Sequence, residues 1–151
     1  MGDFKPLICV SEIVDASPSR IWRAATEKTG LMFMGADVRT DWKKGHPISF
    51  KGEWKGKPFE DRGQVETFDP EKKLAFTHFS PMSGKPDRPE NYNLVSIELE
   101  PKGDRTDVTL TQAIHEDSDR PSREAIAEFE KNWRMMLGKL KQESETVASP
   151  A

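Results

Sequence analysis

"SREAIAEFEKNWRMMLGKLKQE", residues 122–143, decides how the rest of the chain is read. Ile126, Phe129, Trp133, Met136, Leu137 and Leu140 recur at spacings of three and four, which sets one apolar stripe along an α-helix. The spacing predicts a helix from about Ser122 to Glu143, entered through the charged run "HEDSDRPSRE", which reads as a solvated loop and cap. Residues Ser144 to Ala151 read as a frayed tail. A helix with so strong a stripe must lie across an apolar surface, and the upstream sequence supplies one.

Working back from that helix, the period changes to two. Strands are predicted near Ala36–Asp41, Pro47–Trp54, Phe59–Phe68, Leu74–Phe79, Tyr92–Glu100 and Asp107–His115. The segments between them ("KKGH", "KGKP", "DPEKK", "SPMSGKPDRPE", "PKGDR") are short and rich in Gly, Pro, Asp and Lys, so the strands form an antiparallel meander. At the N-terminus "LICVSEIV" (residues 7–14) reads as a buried strand. Ser17 then caps a helix with Pro18 in its first position; Ile21, Trp22 and Ala25 share a face, and Gly30 ends it. "LMFM" (residues 31–34) reads as a further turn of helix on the same core. The expected class is α+β: a curved antiparallel sheet of six to seven strands wrapped around a long C-terminal helix, with one or two short helices after the first strand. Residues 1–143 make one domain.

Composition narrows the roles. The chain has 151 residues, 34% hydrophobic and 32% charged, with a formal net charge of −3 and both signs interspersed, so no nucleic-acid partner is expected. No run approaches the roughly 18 apolar residues of a membrane span, and no signal-peptide core stands at the start. The single Cys9 excludes an internal disulfide and suits a reducing compartment; a cytoplasmic location is expected. Phosphate loop, dinucleotide turn, zinc-binding helix and cysteine pair are all missing, and the three histidines fall on separate segments, so neither cofactor nor metal is expected.

Four blocks carry a resemblance, in order: "DASPSRIWRAATE", "DWKKGHPI", "GQVETFDPEKKLAFTH", and "SIELEPKGDRTDVTLTQ" followed by "NWRMMLGKL". Together they resemble the START-like (SRPBCC, Bet v 1-like) superfamily over about residues 8 to 142, in the branch related to the C-terminal domain of the Hsp90 ATPase activator Aha1. The resemblance implies a helix-grip fold with a cavity between sheet and long helix. Members commonly bind hydrophobic small molecules, and a minority catalyse reactions such as polyketide cyclisation. Three positions depart from the family pattern: Phe33 and His78 stand where Trp is usual, and His46 replaces a Gly.

Strand parity nominates the cavity lining. Val108, Leu110 and Ile114 share a face with Gln112; Val95, Ile97 and Leu99 share one with Asn93; Leu74 and Phe76 carry His78 along; Ile48, Phe50 and Trp54 carry His46. On the first strand one parity turns Glu12 inward with Val10 and Val14, and the other does not. The expected ligand-binding set is Trp22, Phe33, His46, Phe50, Trp54, Phe76, His78, Asn93, Gln112, Phe129 and Trp133. His115 is expected to face solvent and Cys9 to be inert buried packing. The leading expectation is a binding protein for a hydrophobic or aromatic small molecule, lipid-like or polyketide-like. The alternatives are an Hsp90-type chaperone partner, resting on the resemblance, and a cyclase-like or hydrolytic enzyme with His78 or Glu12 as general base.

Overall fold

In a computed structural model of the chain, residues 3–27 and 35–146 are described. The expectations placed on Gly30 and on "LMFM", Phe33 included, lie outside the described residues, as does the Trp54 side chain. Strand β1 (Phe4–Val14) is followed by helix α1 (Pro18–Glu27). Six strands come next: β2 (Asp37–Arg39), β3 (Pro47–Trp54), β4 (Lys57–Asp69), β5 (Lys73–His78), β6 (Asn93–Lys102) and β7 (Arg105–His115). The long helix α2 (Arg123–Thr146) ends the described chain. The sheet has seven strands in the order β1-β7-β6-β5-β4-β3-β2, every neighbouring pair antiparallel. The first strand closes against the last, and the others follow as a meander.

Local chemistry sets the helix starts. The Ser17 hydroxyl accepts from Arg20 N–H at 3.3 Å, and the Ser122 hydroxyl from Ala125 N–H at 3.1 Å, so each serine satisfies a donor that the first turn leaves free. At its far end α2 runs past the stripe to Thr146, because its last turn is tied down rather than frayed. Glu145 accepts from Asp15 N–H at 2.8 Å and from Lys141 Nζ at 2.6 Å, and Lys141 also donates to the Ile13 carbonyl at 2.9 Å. These bonds hold the Glu145 carboxyl below its usual range, the Asp15 amide contributing most and Lys141 next.

The helix grips unevenly. Leu137 and Leu140 are buried in one cluster with Val10, Val14 and Ile21, and Met136 is buried too, whereas Phe129, nearer the start of α2, is 37% exposed. A second cluster (Ile48, Phe50, Val65, Phe76 and Val95 among its members) covers the β3-to-β6 part of the same sheet face. Trp42, Phe68 and Trp133 are half-buried and pack against both clusters, forming a seam between them. Among the described residues no helix is long and apolar enough to cross a membrane.

Two expectations are corrected on the outer face. Cys9 is exposed, with its sulfur 3.9 Å from the Thr111 hydroxyl, because Ile8 and Val10 take the inward parity of β1. The His115 side chain is only 14% exposed: Phe4 covers it edge-on at 5.6 Å, and its Nδ1 accepts from Asp117 N–H at 3.1 Å.

Candidate functional site

The inner face has an apolar middle and a polar end. The register sets Gln112, Val95, Phe76 and Val65 across adjacent strands in one row, and Ile114, Asn93 and His78 in the next. Phe50 lies 5.4 Å from Phe76 and 5.3 Å from the His78 ring, between ring centres. Phe50 and Asp61 are cross-strand partners and so share a face. His78 Nε2 is 2.7 Å from Asp61 Oδ2, with the two side chains 29% and 13% exposed.

Gly63 makes this pairing possible. It lies between Val65, which pairs with Phe76, and Arg62, which bridges to Phe79; a Cβ at Gly63 would sit 1.7 Å from the Thr77 carbonyl oxygen. Only a glycine lets β4 approach β5 so closely.

One row in, Trp133 Nε1–H donates to Gln112 Oε1 at 2.7 Å, which satisfies a side chain only 7% exposed and fixes the indole over the sheet. Phe68 lies 5.6 Å from Trp42, nearly parallel to it, and 5.3 Å from Trp22. Trp42 holds a left-handed backbone at φ 59°, a conformation a bulky residue adopts only under constraint. Its N–H donates to the Thr40 hydroxyl at 3.2 Å.

Of the eleven side chains nominated as lining, Phe50, Phe76, His78, Asn93, Gln112 and Trp133 come together, from β3, β5, β6, β7 and α2. Trp22 belongs to the cluster under α1, 9% exposed. His46 stays out in its turn, half exposed, with Nδ1 2.6 Å from Asp41 Oδ2. Phe129, one step along the stripe from the half-buried Ile126, is exposed. Glu12 does share the inward parity of Val10 and Val14, but it pairs with Val108, six positions along β7 from the His78 row. At about 3.4 Å per residue that is roughly 20 Å, so the two general-base candidates do not meet on one small substrate.

Sequence reasoning passed over Asp61, Trp42 and Phe68. Counting back by twos from Val65 reaches Asp61, so that signal was present. Phe68 was hidden, because a bulge between Val65 and Thr67 shifts the pairing by one and turns Phe68 to the inner face. Hollows among the described residues open at both ends of α2. One of about 300 Å³ lies between α1 and the end of α2, lined by Arg20, Arg23, Glu27 and Glu143 among others; one of about 450 Å³ is formed by Arg120, Pro121, Arg123 and Ile126. No three His, Cys, Asp or Glu side chains among the described residues gather as a metal site.

The segment after β5 straps the polar end. Tyr92 stacks on Phe79 at 5.2 Å and donates to Asp87 Oδ1 at 2.7 Å, while Asp87 pairs with Arg62 at 3.5 Å. Burial, reinforced by Asp87, pushes the phenol from 10.0 up to about 12. The raised value favours the neutral phenol in the folded state. Its contribution to stability is therefore whole below pH 10 and is lost as pH rises through about 12. Tyr92 is the single tyrosine, so alkaline absorbance titration is expected to give one phenolate transition near the raised value, and Asp87→Asn to bring it down. A transition at the ordinary value would mean the strap is open in solution.

A long C-terminal helix across an open seven-stranded antiparallel sheet, with a short helix after the first strand, defines the helix-grip, Bet v 1-like (SRPBCC) fold. Within that fold the chain belongs to the family described as Activator of Hsp90 ATPase homolog 1-like protein, whose sequence profile matches residues 15–145. The solution structure of ChR145 from Cytophaga hutchinsonii is 36% identical, covers 94% of this chain and 95% of its own, and superposes with a TM-score of 0.76. The solution structure of the Aha1 dimer from Colwellia psychrerythraea is 22% identical over 94% of this chain and 99% of its own, TM-score 0.65. CalU16 from Micromonospora echinospora is 20% identical over 90% and 74%, TM-score 0.66. These last two show likeness of fold alone. None of the curated proteins matches the chain.

Proposed function

We propose that this protein takes up a hydrophobic or aromatic small molecule, lipid-like or polyketide-like, in a cavity between the inner face of its sheet and α2. The observation that carries this reading is the aromatic seam: Trp42, Phe68 and Trp133 are half-buried where two apolar clusters meet, beneath a helix anchored mainly by its C-terminal half. Apolar surface of this kind, with a few placed polar groups, is what small-molecule sites present. The fold's common use for hydrophobic ligands agrees with it. Covering about 200 Å² of ligand surface yields roughly 5 kcal/mol before ordering costs, enough for modest affinity.

The test is a titration of lipid-stripped protein with a panel of apolar and aromatic compounds, following tryptophan emission and melting temperature. A binder is expected to give saturable quenching or enhancement and to add about 2.7 kcal/mol of stability at a hundredfold excess over Kd. A panel that gives neither signal overturns the reading. The family's description supports a second reading, an interaction with an Hsp90-type chaperone. Its test is capture of the host chaperone together with a change in that chaperone's ATPase rate, and the absence of both ends it.

A further inference from the structure

We infer that the molecule bound at this site is an amphiphile whose polar end donates hydrogen bonds, a hydroxyl or an amine, seated against Asp61 and His78. This rests on the binding reading above and specifies the head group of the ligand.

The inner face offers an unmet acceptor at its polar end. Asp61 engages His78 through Oδ2, while its Oδ1 is buried and has no hydrogen-bond partner. An ionised carboxylate only accepts, so the 2.7 Å contact places the shared proton on His78 Nε2. With Oδ2 engaged by His78, Oδ1 is the acceptor left unmet at this end. A buried acceptor left unmet is costly, and native interiors meet it with a donor. Gln112 stands one row away from His78, with its amide oxygen held by the Trp133 indole, and makes no hydrogen bond to Asp61 Oδ1. Asn93, the cross-strand partner of His78, brings an amide to the same end, suited to receive the oxygen of a hydroxyl. The apolar body of such a ligand would lie on Phe50 and Phe76 toward the seam. A carboxylate head would instead set like charge beside Asp61 and supply no donor.

The experiment uses the whole chain and four probes below their aggregation concentrations: dodecanol, dodecylamine, dodecanoate, and naphthalene as a body without a head. Dodecanol, dodecylamine or both are expected to bind at least about tenfold more tightly than dodecanoate. Whichever of the two leads distinguishes a hydroxylated from a cationic ligand. In Asp61→Ala the preference over dodecanoate is expected to collapse while naphthalene affinity holds. Asp61→Asn, which keeps the shape, serves if the alanine variant melts early. In the unaltered protein, dodecanol is expected to shift the His78 ring resonances. Equal or tighter binding of dodecanoate, a preference that survives both variants, or unmoved His78 signals overturns the inference while naphthalene binding upholds the cavity. Failure of all four probes removes the binding reading, and the inference with it.

Discussion

Gly63→Ala is expected to cost about 3 kcal/mol or more, lowering the melting temperature by roughly 6–12 °C for a chain of this size. The added methyl would stand 1.7 Å from the Thr77 carbonyl oxygen, a backbone atom with no rotamer to change. Neither strand can yield locally, because Val65 is held to Phe76 on one side and Arg62 to Phe79 on the other. Relief requires β4 and β5 to part, and that separates Asp61 from His78. Gly138→Ala is the control. Nothing lies within 4 Å of a Cβ there, and the position is inside α2, so alanine is expected to stabilise by up to about 1 kcal/mol. Thermal melts of the two variants should therefore move in opposite directions. A Gly63→Ala protein that melts with the parent would show that the two strands do not approach as described.

Leu140→Ala is expected to cost about 3 to 5 kcal/mol. Its side chain is fully buried in the cluster that joins α2 to β1 and α1, and the cavity left behind is walled by the sheet and two helices, which limits collapse. Phe129→Ala, on the same stripe, removes a larger side chain that is 37% exposed and is expected to cost about 1 kcal/mol. Denaturant unfolding of both variants measures how unevenly the helix grips. Equal costs would mean that the first half of α2 is anchored as firmly as the second.

The inner faces of β5, β6 and β7 could be read by counting, because side chains alternate across a strand and one face of this sheet is buried. Leu74 with Phe76, Val95 with Ile97 and Val108 with Leu110 all point where alternation sends them, and Gln112 goes with them. Counting failed at two kinds of place. A bulge at residue 66 reverses the parity of Phe68, and no one-strand pattern reveals a bulge. At His46 the alternation of β3 runs out into a turn, where Asp41 holds the imidazole at the surface.

What the sequence determined by itself was the order of elements, their amphipathic faces and the starts of both helices, because periodicity, caps and turn residues act over a few positions. It also carried Tyr92, His78 and Asp61, but as separate letters. Their partnerships were decided only in three dimensions: His78 meets Asp61 across 17 positions of chain, and Trp133 meets Gln112 across 21. Contacts between separate strands and helices depend on register and close approach, here on one glycine and one bulge, and those are properties of packed neighbours rather than of any single segment.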